Sequence, residues 1–142
     1  MHIILRSEIG QAFIEGDLPV EEIASVWNEK MDEYLGVPPE TDAEGCLQDI
    51  HWTSGFAAFQ TYTLGSVAAA QLNAAVREEL DVDSLVRDGD FGPIHEWMTE
   101  NVHRHGQRYE TPELIEKATG EELTADYFVE YVREKFERLY DL

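Results

Sequence analysis

Apolar residues return along most of this chain at three- and four-residue steps, and each run is bounded by glycine, proline or a capping residue. Ile4, Leu5, Ile9, Ala12 and Phe13 run up to Gly16, and Ile23, Trp27, Met31, Tyr34 and Leu35 run up to Gly36 and Pro38-Pro39. Leu64, Val67, Ala68, Leu72, Ala75 and Val76 make a third run, rich in alanine. Ile94, Trp97, Met98 and Val102 make a fourth, begun at Pro93 and closed at Gly106, and a short fifth lies between Thr111-Pro112 and Gly120. After Thr124 come Phe128, Tyr131, Val132, Phe136, Leu139 and Tyr140. A period of 3.6 residues stacks such side chains on one helix face, while proline suits a first turn and glycine the left-handed residue past a last one. The spacing therefore predicts an all-α fold, with helices over 2–15 and 62–79 among them. The exception is about 36–63, where two prolines, Gly45, Gly55 and a polar motif break the period. That stretch reads as a long ordered loop, and loops of such length are commonly functional.

No repeat, low-complexity tract or linker divides the chain, so residues 1–142 read as one helical segment. With 43% hydrophobic residues it can bury a core, in which Trp27, Trp52 and Trp97 are expected to pack. The charge is extreme: 30 acidic residues stand against 10 basic ones, for a formal net charge of -20. Nucleic acid and anionic membrane surfaces would repel such a chain, so neither is expected as a partner. Acidic residues spread along the whole sequence, with lysine only at 30, 117 and 135, suit a halophilic cytosol. In molar salt a Debye length of about 3 Å mutes the self-repulsion. No apolar run approaches the roughly 18 residues of a membrane span and no leader pattern opens the chain, so a cytoplasmic location is expected. The lone Cys46 has no thiol partner for an internal disulfide and is expected to act as a small apolar residue.

The least ordinary stretch is Gly45-Cys46-Leu47-Gln48-Asp49-Ile50-His51-Trp52, which gathers an amide, a carboxylate, an imidazole and an indole within five positions. Taken as residues alone it admits two readings. Gln48 and Asp49 can cap the following turn while His51 satisfies backbone carbonyls, as short polar clusters often do. Alternatively, His51 can donate to developing negative charge, with Asp49 orienting the ring.

The pattern G-x-x-Q-D-x-H-W, followed by Gly55 and Thr61-Tyr62-Thr63-Leu64-Gly65, resembles a signature of the carboxypeptidase Taq family of HExxH zinc metallocarboxypeptidases. Further segments resemble pieces of the C-terminal part of such enzymes. They are His2-Ile3-Ile4-Leu5-Arg6, Trp27 to Met31 with Tyr34-Leu35-Gly36, Ala69-Ala70-Gln71-Leu72, His103 to Tyr109, and Tyr127-Phe128. The resemblance implies a helical fold, zinc in the full-length enzyme, and removal of C-terminal amino acids from peptide substrates. It also implies that His51, Asp49, Gln48 and Tyr62 belong to the wall of the substrate groove opposite the metal. Trp52, Arg104, Arg108 and Tyr109 are its expected substrate contacts. Where the family reads Gly-Tyr-Phe-Pro-Thr-Tyr, this chain reads Ala57-Ala58-Phe59-Gln60-Thr61-Tyr62 and is one residue short.

The family's HExxH helix and later glutamate ligand lie, by this resemblance, upstream of Met1. The segment His95-Glu96-Trp97-Met98-Thr99 begins like that motif but lacks the second imidazole, since Thr99 stands in its place. His103 and His105 would sit roughly 200° apart around a helix rather than on one ion. No metal is therefore expected in this chain by itself. The expectation is a C-terminal fragment, inactive alone, whose partners are a peptide substrate and the missing N-terminal half or a homodimer partner. A non-catalytic helical module that binds peptides or proteins is the alternative.

Overall fold

The computed structural model describes residues 1–48, 50–53 and 58–141. All regular structure among them is helical: α1 (His2–Glu15), α2 (Ile23–Leu35), α3 (Thr61–Glu79), α4 (Val82–Asp88), α5 (Gly92–Asn101), α6 (Thr111–Thr119) and α7 (Asp126–Tyr140). Short 3-10 turns occupy Val20–Glu22, Cys46–Gln48, Ile50–Thr53 and His103–His105. No helix is long and apolar enough to cross a membrane among the described residues. The chain divides into two compact units, Met1–Leu64 and Gly65–Leu142.

In the first unit, α1 packs on α2 around Leu5, Ile9, Leu18, Trp27, Met31 and Cys46. Gly16 ends α1 in the left-handed conformation (φ 85°), and the Gly16 and Asp17 N–H groups donate to the Phe13 and Ala12 carbonyls. This double bond pattern satisfies carbonyls that a helix end would otherwise leave open. Trp27 is wholly buried, with the His2 ring edge-on at 5.5 Å and the Trp52 ring at 6.2 Å. At the rim of this packing, Lys30 Nζ donates to Glu8 Oε2 at 2.6 Å and the Tyr34 hydroxyl to the same oxygen at 2.8 Å.

These bonds hold the Glu8 carboxyl below its usual range, the Lys30 hydrogen bond first and the Tyr34 bond second, and they raise Lys30 above its own. The Glu8 contribution to stability is thus present above its unfolded value and is lost as pH falls through the folded one. Lys30 loses its contribution only as pH rises through its raised value. Because the Glu8 side chain is 41% exposed, the pair is worth no more than about 1 kcal/mol. Glu8→Gln is expected to lower stability by less than that at pH 7, with the deficit shrinking as pH falls through the folded Glu8 value, checked by urea denaturation along a pH series.

In the second unit, Val76, Val82 and Trp97 form the core, supported by Leu72, Leu80, Ile94 and Met98. The Trp97 indole N–H donates to Glu79 Oε1 at 2.8 Å, tying α5 to the end of α3. Helix α4, which apolar spacing did not bring out, starts where Asp81 Oδ1 accepts the Ser84 N–H at 3.1 Å and stops at left-handed Gly89. The most buried polar side chain is Gln71 of α3, 1% exposed. It binds the connection between α6 and α7: its amide donates to Thr119 Oγ1 and to the Glu121 and Glu122 carbonyls at 3.1–3.3 Å, and its oxygen accepts the Thr124 N–H at 3.1 Å. Helix α7 carries its apolar stripe with no buried residue.

Candidate functional site

The loop ahead of the polar motif is turned by short-range backbone bonds: the Gly45 N–H donates to the Thr41 carbonyl at 2.9 Å and the Leu47 N–H to that of Asp42 at 2.9 Å. Gly45 is buried here, and a Cβ on it would lie 2.9 Å from Pro39 Cγ and 3.4 Å from Asn28 Oδ1. The motif opens with glycine because nothing larger fits between that ring and α2. The next residue, Cys46, is 6% exposed, and burial first and the Asp42 charge second push its thiol up. It is a core residue rather than a nucleophile, since the reactive form is the thiolate.

From this anchor the 3-10 turns carry the remaining side chains. Gln48 is exposed, and its amide donates to the Glu44 carbonyl at 2.6 Å, so it closes its own turn. Asp49 lies outside the described residues. The Trp52 indole N–H donates to the Cys46 carbonyl at 2.8 Å while its ring meets Trp27 edge-on, which locks the turn to the core. Its contacts are those of a packing residue. His51 is half-buried, with the Phe59 ring perpendicular to it at 4.5 Å and the Tyr62 ring perpendicular at 6.2 Å. Phe59 and Tyr62 are themselves 5.4 Å apart. Tyr62 stands in the first turn of α3 and is 57% exposed, so this aromatic trio opens to solvent on one side.

Arg6 of α1 reaches the trio from the core side. Its guanidinium carbon is 4.6 Å from the centre of the Phe59 ring and 5.1 Å from that of Trp27, close enough for cation–π attraction to both. The chain of contacts Trp27, Arg6, Phe59, His51 therefore links the centre of the core to the imidazole. In the sequence Arg6 stands out only within a segment that resembles the family, and Phe59 only by the change around it. Nothing local reveals that residues so far apart in sequence would meet.

The second polar group lies in the other unit. Arg104 pairs with Glu100 one turn earlier. The Tyr109 ring lies 5.5 Å from that of His105 and carries the Lys117 ammonium 4.7 Å from its centre, and Arg108 is exposed beside them. The His95 and His103 rings come within 6.2 Å of each other. No group of three or more His, Cys, Asp or Glu side chains converges among the described residues.

The described residues are helical in all their regular structure and gather an imidazole, a phenol and a phenyl ring beside a glycine-anchored turn. The family model of the Carboxypeptidase Taq (M32) metallopeptidases matches residues 1–136, and the chain belongs to that family. It is 46% identical over 142 residues to Carboxypeptidase 1 of Bacillus subtilis strain 168, matching 99% of this chain and 28% of that protein. Thermostable carboxypeptidase 1 of Pyrococcus furiosus is 37% identical over 137 residues, matching 95% of this chain and 28% of its own length. The crystal structure of the M32 carboxypeptidase from Deinococcus radiodurans R1 superposes with a TM-score of 0.94 at 38% identity, over 99% of this chain and 29% of that one. The chain thus spans about 28% of the length of the curated relatives it matches.

A metallopeptidase family implies a bound metal, zinc in the carboxypeptidases that the sequence resembles. The described residues do not fit one. His95 lacks its partner because Thr99 occupies the fifth position of the motif, and no third ligand joins His95 and His103.

Proposed function

We propose that this chain supplies one wall of the peptide cleft of a metallocarboxypeptidase and acts only together with the rest of the family's length. His51 is the donor to the oxyanion that forms as a peptide carbonyl is attacked, and Tyr62 flanks the same position. The observation that carries this reading is the perpendicular packing of His51 against Phe59 and Tyr62, with Tyr62 more than half exposed. An imidazole whose orientation is fixed by two packed rings can meet developing charge without reorganising, which is where such donors contribute most. Asp49 is assigned as the acceptor that orients the imidazole. Gln48 and Trp52 fix the turn that presents it. Arg104 is engaged by Glu100, which leaves Arg108 as the better of the two arginines for a substrate carboxylate, with Tyr109 beside it.

The test joins this chain to the remainder of the family's length, as one polypeptide or as two. His51→Ala is then expected to lower kcat about 100-fold for release of C-terminal amino acids while KM stays within about threefold, the pattern of a group that acts in the transition state. An unchanged kcat would remove His51 from the mechanism. The 142-residue chain alone is expected to release no amino acid from peptides. Release by the pure chain, abolished by a chelator, would overturn the reading, and peptide binding without turnover in the joined enzyme would favour a binding module.

A further inference from the structure

Resting on the reading that His51 belongs to the cleft wall, we propose that Arg6 is a positioning residue for it: the guanidinium fixes the Phe59 ring, and Phe59 fixes the orientation of the imidazole. Arg6, Trp27, His51 and Phe59 all lie in the first unit, Met1–Leu64. The guanidinium carbon is 4.6 Å from the centre of the Phe59 ring, and the His51 ring meets the same phenyl at 4.5 Å and 87°. Phe59 therefore packs on both, with the Tyr62 ring a further neighbour at 5.4 Å.

The place of Phe59 in the chain explains why its ring has to be held by side chains. It stands in the turn just ahead of α3, where the Thr61 N–H reaches the Ala58 carbonyl and the Tyr62 N–H that of Phe59, both at 3.3 Å. Such bonds are longer than the usual range of about 2.7–3.2 Å and hold the backbone loosely. A phenyl ring on such a turn takes whichever staggered χ1 well its neighbours leave open. Arg6 supplies the constraint, because it is tied to the buried centre of the unit. It rises from α1 beside Leu5, 1% exposed, and its guanidinium carbon also lies 5.1 Å from the centre of the wholly buried Trp27 ring. A planar guanidinium stacks on aromatic faces, and its attraction to them strengthens as water is excluded. Arg6 thus extends the rigidity of the first core to Phe59. It reaches the rings from the core side, whereas the open side is that of Tyr62, 57% exposed. Arg6 therefore acts on the imidazole through Phe59 and not by meeting a substrate.

Two measurements test this. The first is nuclear magnetic resonance of the 142-residue chain carrying isotope-labelled histidine. The His51 ring-proton resonance, assigned by its loss in His51→Gln, is expected to be displaced by the Phe59 ring current. Phe59→Leu removes that ring and gives the reference for complete loss. Arg6→Met is expected to move the resonance most of the way to this reference, and Arg6→Lys, which keeps a cation able to sit over the ring, to move it less. Circular dichroism checks helix content. Should Arg6→Met lose it, the milder Arg6→Lys decides, since its resonance must still shift toward that of Phe59→Leu.

The second measurement joins the chain to the remainder of the family's length. Arg6→Met and Phe59→Leu are each expected to lower kcat about 10-fold with KM within about threefold, as a small misplacement of a transition-state donor does. Added to Phe59→Leu or to His51→Ala, Arg6→Met is expected to change kcat by less than about twofold, because the route it acts through is already cut. A His51 resonance unmoved in the folded Arg6 variants overturns the proposal. So does an Arg6→Met loss that persists undiminished on either background, or a kcat unchanged by Arg6→Met where His51→Ala lowers it. A resonance that moves while His51→Ala leaves kcat unchanged sinks the cleft-wall reading and leaves Arg6 as the residue that orients the ring.

Discussion

Trp27→Ala is expected to lower the stability of the chain by about 3–5 kcal/mol, a large part of the 5–15 kcal/mol typical of a folded domain. The side chain is 0% exposed and is the largest that the fold buries completely. Removing it deletes the ring on which His2, Arg6 and Trp52 all converge. A cavity among side chains fixed by two helices relaxes only in part, which places this site at the upper end of large-to-small substitutions. Trp27→Phe should behave differently. The indole Nε1 is buried with no hydrogen-bond partner among the described residues. Phenylalanine keeps an aromatic edge for Trp52 while deleting a donor whose desolvation costs about 1–3 kcal/mol. Its net cost is therefore expected to be well under half that of alanine. Urea denaturation followed by circular dichroism compares the three proteins. Trp27→Ala within 1 kcal/mol of the parent would mean that the first core is not organised around this residue.

The same substitution bears on the site, because Trp27 and Phe59 share the Arg6 guanidinium and Phe59 packs on His51. This linkage separates what the sequence could show from what it could not. Helices α1 and α2 were legible because apolar spacing is a local signal and because Gly16 and Gly36 mark left-handed ends that other residues resist. The stripe of α7 was legible for the same reason. Helix α4 was not, since Val82, Leu85 and Val86 span too few residues to establish a period. Its clearer signals are Asp81 at the cap and Gly89 at the stop. The loop over 36–63 was recognised by its broken period, yet its last residues belong to α3, which starts at Thr61. The local sequence also does not reveal that Gly45 is required by Pro39 rather than by a backbone angle. At the site, the motif drew attention to His51 and Tyr62, which the fold brings together. It did not reveal that Gln48 and Trp52 would spend their polar groups on the Glu44 and Cys46 carbonyls. Those partners depend on how the chain turns back on itself, and residue type does not encode that by itself.

Gln71→Leu is the other change expected to act strongly, at about 3 kcal/mol, although it swaps one buried side chain for another of similar size. The cost comes from what is left behind. Gln71 is 1% exposed and serves four partners on the segment from Thr119 to Thr124. Thr119 would keep its own bond to the Ile115 carbonyl, so the losses fall on the Glu121 and Glu122 carbonyls and the Thr124 N–H. Each buried group stripped of its partner costs about 1–3 kcal/mol, and the exposure of Glu121 and Glu122 puts their share at the lower end. Gln71→Glu separates this account from simple loss of packing. A carboxylate facing three acceptors is held protonated, so the folded pKa of the introduced acid rises above its unfolded value. The variant should then approach the parent in stability below that unfolded value and fall away from it as pH rises through the folded one. Gln71→Leu has no such proton to lose, and its deficit should not follow that titration. If the two variants lose the same stability at pH 4 and pH 7, the amide is a space-filler, and the α6–α7 connection is held to α3 by something other than these bonds.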